Sequence, residues 1–348
     1  MTITYVYHLI LNNCIINDYI YRLMLENANE DTLPVLLRDL YRILTTKPIL
    51  DTISIVEIPE PLIFECGHLG LSKSAFKKLG LYAHSRFNAV SIEEQKHDKH
   101  NELDKLSTVL ILLNPDDYRY WNHRKRQRSD CTIDTTDLSR ELWLSSHPLK
   151  LKPKSAEPFN HCRWLMTRHR DLVTDSTVLG QLKMCQEAAS LYKHNYYAWN
   201  YRQWLLLNFS HLLDLEAELG LSKRWVETHI SEFSGMNYRF SVLVLSFRAR
   251  GSHSTDSSED HLPGVSRKGI TRKVVAEIWF VCELIVFYPD HEALWNYLRM
   301  LFLFCEAHKL EYIRKCKDQL ASIEKIKNRF ARRFRENLII ANLFGIPI

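Results

Sequence analysis

The sequence predicts an all-α protein, a solenoid of antiparallel helical hairpins, and three observations carry that prediction. A short pattern recurs five times on one ruler: Asn122, Asn160, Asn200, Asn237 and Asn296, at steps of 38, 40, 37 and 59 residues. A large apolar residue precedes each Asn (Trp121, Phe159, Trp199, Met236, Trp295) and a ring follows it (His123, His161, Tyr201, Tyr238, Tyr297). Proline recurs in register, since Pro115, Pro153 and Pro289 each stand six residues before the apolar residue of their unit. Proline there ends the preceding helix and turns the chain. Finally, only ten Gly and eleven Pro in 348 residues suit long helices better than many-turned β structure. A period near 40 residues is the mark of stacked helical repeats.

The elements follow in order. Residues 1–100 lack the ruler and read as an atypical N-terminal region. Within it Leu33, Leu36, Leu37 and Leu40 have helical spacing, and Ile53–Ile58, closed by Pro59 and Pro61, is extended in character. Five units fill 101–310. They pair Leu103–Leu113 with Tyr118–Arg128, Leu138–Leu144 with Pro158–Arg168, and Thr177–Tyr192 with Tyr196–Phe209. Lys223–Phe233 then pairs with Gly235–Arg248, and Val274–Phe287 with His291–His308. Residues 250–269, rich in Ser, His, Asp and Gly without periodicity, read as a disordered insertion. From Glu311 to Arg335 a basic amphipathic helix carries Leu320, Ile323, Ile326 and Phe330 on one side, a terminal cap, within a C-terminal region of 311–348.

An Arg stands two residues after the Asn in three units, at Arg124, Arg202 and Arg239; Cys162 and Leu298 replace it in the others. A buried amide is costly unless paired, so the recurrent Asn is expected to bond the neighbouring unit and fix the stacking angle, with the Arg at the same junction. On the second helix of unit 3, Trp199, Gln203 and Leu206 form one stripe and Asn200, Trp204 and Leu207 an adjacent one. Unit 3 is the exception in its turn, with Lys193 at the proline position, and Ile230 holds that place in unit 4.

Several function classes are set aside. A formal charge of +5 is small for this length, and the basic runs are short, so the sequence makes no case for nucleic acid. The eight cysteines contain no C-x-x-C pair and sit mostly in apolar runs, as buried thiols of a reducing compartment do. The pair His97 and His100 lacks a wider ligand cluster and reads as a solvated helix start, so no metal is expected in this chain. The apolar run Thr2–Leu11 has no basic lead and is broken by Asn12, Asn13 and Asp18. With no transmembrane segment in view, a cytoplasmic protein is expected.

The period and the W-N-Y-R head of the second helix, as in Trp199-Asn200-Tyr201-Arg202, resemble the repeat of protein prenyltransferase α subunits over about residues 103–305. That resemblance implies a right-handed crescent wrapped around a separate β subunit that holds the catalytic zinc and most of the isoprenoid pocket. Among the geranylgeranyl-transferring enzymes of the third type, it implies the β subunit shared with Rab geranylgeranyltransferase. The implied reaction moves geranylgeranyl from its diphosphate to a C-terminal cysteine of a client protein, such as a SNARE. It also implies that the third repeat reaches the diphosphate with a Lys five residues before the repeat Trp and a Tyr two residues after that Lys. Here those places hold His194 and Tyr196, with Lys193 one residue earlier. Cations and a phenol beside a departing diphosphate would stabilise its developing charge. The missing Lys keeps a second reading open, a non-catalytic scaffold for a prenylated client or partner protein.

Overall fold

The computed structural model of the protein describes residues 21–22, 32–46, 50–89, 100–129, 132–248, 267–310 and 313–343. The expectations for Thr2–Leu11, for His97 and for residues 250–266 lie outside these. The chain divides into two compact units. One comprises residues 1–173 with 186–197, the other residues 174–185 with 198–348.

In the first unit, α1 (Leu33–Thr45) buries Leu33, Leu36, Leu37, Leu40 and Leu44, the face its spacing predicts. The extended segment is β2 (Thr52–Val56), and it belongs to a sheet. With β1 (Tyr21–Arg22), β3 (Leu62–Glu65) and β4 (His68–Ser72), it forms the order β1-β3-β4-β2, β2 running parallel to β4. The β3–β4 hairpin turns at Cys66 and Gly67, both at positive φ (47° and 81°). Sequence reading found one of these strands only, because the Cys-Gly turn and the short β3 give little periodic signal.

Next come α2 (Lys73–Ala89), α3 (His100–Leu113) and α4 (Tyr118–Ser129). Then follow α5 (Thr135–Leu151) and α6 (Glu157–Arg168). From Leu106 to Leu113 every residue of α3 is buried, since α1 and α2 pack against it as well as its repeat neighbours α4 and α5. α5 is longer than its apolar run predicts. Asp134 caps it by accepting from the backbone N–H of Thr136 and Asp137 (2.8 Å each), and it runs through Pro148 before ending ahead of Pro153.

Beyond these lie α7 (Asp175–Leu191) and α8 (Tyr196–Phe209), then α9 (Leu215–Thr228) and α10 (Phe233–Arg248). The last elements are α11 (Arg267–Phe287), α12 (Glu292–Ala307), α13 (Lys317–Glu324) and α14 (Arg329–Leu343). In the second unit α9 packs on α10, α11 on α12, and α12 also on α10 and α14. Three expectations are corrected here. The first helix of repeat 4 spans Leu215–Thr228 rather than Lys223–Phe233, because Asp214 caps it from the backbone N–H of Glu216 and Ala217 (3.0 and 3.1 Å). α11 begins at Arg267, inside the stretch assigned to the insertion, and Ile270 and Thr271 are already buried. The basic C-terminal helix is two helices. Asn328 starts α14 afresh by accepting from Ala331 N–H (2.8 Å), and the two helices pack on different neighbours, α13 on α11 and α14 on α12. The all-α class built of helical hairpins is borne out. Among the described residues no helix is long and apolar enough to cross a membrane.

Candidate functional site

Two constellations grow out of the repeat pattern, one buried and one exposed. The buried one begins with an acid or amide on the first helix of a repeat, twenty residues before the ring of the second. Tyr238 Oη donates to Glu218 (2.8 Å) and Tyr297 Oη to Glu277 (2.7 Å). His161 Nε2 meets Glu141 at 3.1 Å, and Tyr201 Oη donates to Gln181 (3.0 Å). The Arg of the preceding repeat then closes on the same carboxylate. Arg124 forks onto Glu141 (Nε–Oε1 2.7 Å, Nη2–Oε2 2.6 Å) and Arg239 onto Glu277 (2.6 Å for both contacts), while Arg202 bonds Glu218. Each Arg also ties back to the first helix of its own hairpin. Arg124 reaches Thr108 (2.8 Å) and Asp104 (3.2 Å), Arg202 the Leu182 carbonyl (2.8 Å), and Arg239 the Leu219 carbonyl (2.5 Å). One guanidinium thus joins three helices.

The recurrent Asn does not do this work. Asn160, Asn200 and Asn237 are exposed, Asn122 and Asn296 half-buried, and Asn160 bonds Glu157 of its own helix (3.2 Å). The reason is angular. Ala198, Trp199, Tyr201, Arg202, Leu205, Leu206 and Phe209 take the buried arc of α8, which leaves Asn200 and Leu207 facing water. The second stripe expected through Asn200 and Leu207 is therefore not a packed one. The Trp residues have a further role missed in sequence: Trp121 Nε1 donates to the Pro115 carbonyl (2.8 Å) and Trp295 Nε1 to that of Pro289 (2.7 Å). The proline of the turn is also the acceptor that fixes the indole.

Charge in this layer is held by mutual contact. Burial alone would raise the Glu141 carboxyl, but Arg124 and the His161 hydrogen bond hold it well below the ordinary carboxylate range. Burial lowers His161 from its ordinary 6.5, the Glu141 contact opposing. Burial, aided by Glu218 and Glu277, pushes the Tyr238 and Tyr297 phenols well above 10. These rings donate and do not titrate. A buried, paired layer of this kind is architecture rather than a reactive site.

The exposed constellation is the turn of repeat 3. Lys193, His194, Tyr196 and Tyr197 all face solvent, Tyr196 being 61% exposed. His194 adopts φ 56°, a left-handed conformation that disfavours a side chain. Between them Asn195 is fully buried and pins the turn, its Nδ2 donating to the carbonyls of Pro153 (2.6 Å) and Ala188 (3.1 Å). Lys154 lies over the Tyr192 ring at 5.3 Å, and the rings of Tyr196 and Tyr197 meet edge to face at 5.7 Å. Lys193, His194 and Tyr196 thus flank the buried Asn195 in one exposed turn, and Lys154 lies by Tyr192 at its start. Among the described residues no three His, Cys, Asp or Glu side chains converge as metal ligands would.

An array of helical hairpins with this repeat resembles that of protein prenyltransferase α subunits. The model of the protein prenyltransferase alpha subunit repeat matches residues 179–209, the stretch through α7 and α8 that carries Trp199, Tyr201 and Arg202. The chain is also similar to Protein prenyltransferase alpha subunit repeat-containing protein 1 of Danio rerio, 27% identical over 318 residues, covering 79% of this chain and 73% of the relative. The Homo sapiens protein of that name is 27% identical over 327 residues, covering 80% of each. The resemblance read from the Trp-Asn-Tyr-Arg pattern is borne out by these matches.

Proposed function

We propose that this chain is the α-type subunit of a heterodimeric protein geranylgeranyltransferase. In this reading the hairpin array scaffolds a β subunit, that of Rab geranylgeranyltransferase, which carries the zinc and the isoprenoid pocket. Geranylgeranyl passes from its diphosphate to a C-terminal cysteine of a client, a SNARE among the candidates, in the cytoplasm. The observation that supports the reading is the repeat 3 turn. It replaces the turn proline with Lys193, followed by His194 and the exposed Tyr196, about a buried Asn195. Lys193 and a protonated His194 would offset the charge that develops on a departing diphosphate, and Tyr196 Oη would donate to it. Zinc, in the partner, would supply a thiolate by lowering the client thiol's pKa.

A second reading, a scaffold that binds a prenylated client or partner without turnover, is favoured by one observation. The place of the family lysine holds His194, in a left-handed backbone conformation. Co-expression with the β subunit, size exclusion, and labelled geranylgeranyl transfer onto cell extract separate the two. A one-to-one complex that labels a protein supports the enzyme. A stable complex that labels nothing supports the scaffold, and the lack of any complex removes the α-subunit reading.

A further inference from the structure

A second surface, independent of the prenyltransferase reading, lies on α13 and α14. Between residues 315 and 335 the sequence places eight Lys or Arg and two acids, an excess greater than the formal +5 of the whole chain. The fold sorts these residues from their apolar neighbours. Ile323, Ala331 and Phe334 are buried, and Leu320, Ile326 and Phe330 pack on the same core. The Phe334 ring lies 5.5 Å from Trp295 and 5.6 Å from Phe302, centroid to centroid. Lys325, Lys327, Arg329, Arg332 and Arg333 are all exposed. Among the described residues from 315 to 336, no large apolar side chain is exposed with them.

These cations are only lightly engaged. Arg333 pairs with Glu292 at 2.9 Å, and Arg332 stands 3.9 Å from Glu336. Among the described residues Lys325, Lys327 and Arg329 stand in no ion pair. Arg335 turns back, its guanidinium 3.4 Å from the Ile326 carbonyl, which ties α14 to the loop carrying Lys325 and Lys327. Beyond Glu336 the sequence changes character. Residues 337–348 contain no charged side chain, and α14 runs on as far as Leu343. At 3.6 residues per turn, Ile339, Ile340 and Leu343 fall on the helical arc of Arg329, Arg332 and Arg333, with Glu336 the one acid among them. Along one helix face, cations give way to hydrocarbon residues.

We propose that this face contacts an anionic membrane surface, its cations on the lipid headgroups and the apolar end of α14 at the acyl boundary. A bilayer presents negative charge above hydrocarbon, the two chemistries that the helix carries in succession. The helix lies on the surface and does not cross it, since its 15 residues fall short of the roughly 20 that a span needs. A nucleic acid matches only the charge. Single strands call for exposed rings, which are lacking among the described residues from 315 to 336, and a duplex has no use for Ile339, Ile340 and Leu343.

Vesicle flotation with the full chain is the test. Binding is expected to phosphatidylcholine vesicles containing about 30% phosphatidylserine, and about tenfold weaker binding to phosphatidylcholine alone. Raising salt from about 0.1 M to about 0.5 M should release most of the bound protein. A Lys325→Gln, Lys327→Gln, Arg329→Gln, Arg332→Gln variant should bind about tenfold more weakly yet melt at the wild-type temperature, since all four side chains are exposed. Ile340→Gln should weaken binding less and leave its salt dependence unchanged. Equal binding to both vesicles, binding to neither, or wild-type binding by the folded quadruple variant would each overturn the proposal. Retention on polyglutamate or duplex RNA by a chain that ignores the vesicles would also overturn it, in favour of an acidic protein or a nucleic acid.

Discussion

Repeats 3 and 5 follow the same plan and fill it with different chemistry. In repeat 5 the turn proline accepts the Trp295 N–H, Tyr297 donates to Glu277, and Arg239 forks onto that carboxylate. In repeat 3 Lys193 stands at the proline position and the buried Trp199 N–H has no partner among the described residues. Gln181 takes the place of the Glu, and Cys162 the place of the Arg. The two losses match: where the cation is absent the acid is absent too, so no lone charge is buried. Repeat 5 is closed on itself. Repeat 3 gives up a charged clamp and a turn bond, keeps its path through Asn195, and exposes cations and rings instead. Departures of this sort are where function displaces stability.

The contrast can be broken or sharpened by substitution. The largest effect is expected from Arg239→Met, which leaves Glu277 buried with Tyr297 alone and should cost about 3–5 kcal/mol in urea unfolding. Gln181→Leu, which takes a neutral acceptor from the buried Tyr201 hydroxyl, should cost about 1–3 kcal/mol. Equal losses for the two would erase the distinction between charged and neutral repeats.

Glycines give a smaller effect with opposite signs. A Cβ at Gly235 would stand 3.1 Å from Trp225 Cδ1 and 3.2 Å from Trp199 Cζ2, so Gly235→Ala should destabilise by about 1–3 kcal/mol. Gly180, with nothing within 4 Å of such a Cβ, should gain up to about 1 kcal/mol as Ala. Thermal melts of both variants decide it.

Acid should weaken the first unit through its buried imidazoles. Burial pushes His147 down to about 3 and His161 below 6.5. A folded-state pKa below the unfolded value means full stability above pH about 6.5 and progressive loss as pH falls toward the folded values. His147→Phe should flatten the decline of melting temperature between pH 7 and 4. The smallest effect belongs to the turn. His194→Gly relieves the left-handed side chain and should raise stability by about 1 kcal/mol.

Much of the architecture was legible because Trp, Asn, ring and Pro recur on one ruler, and a period survives without knowledge of contacts. What the ruler could not assign was direction. Asn and Arg both recur, and only the helical arc shows that Arg202 points inward and Asn200 outward. The acid of the buried layer was present in the sequence at a constant twenty residues before His161, Tyr201, Tyr238 and Tyr297, yet a Glu or Gln on an otherwise ordinary helix face carries no local signal. Asp214 and Asn328 are helix caps whose meaning depends on a break that the surrounding periodicity hides. The exposed turn was found because it departs from a rule, and its anchor Asn195 was missed because one buried Asn outside the pattern looks like any turn residue.

Single-turnover geranylgeranyl transfer by the complex with the Rab geranylgeranyltransferase β subunit tests the central claim most directly. Wild type should be compared with a Lys193→Ala, His194→Ala, Tyr196→Ala triple variant and with Gly180→Ala, which lies outside the turn. The account predicts that all three chains bind the β subunit alike, and that only the triple variant loses transfer, by at least tenfold. Transfer by the triple variant at the wild-type rate would contradict it.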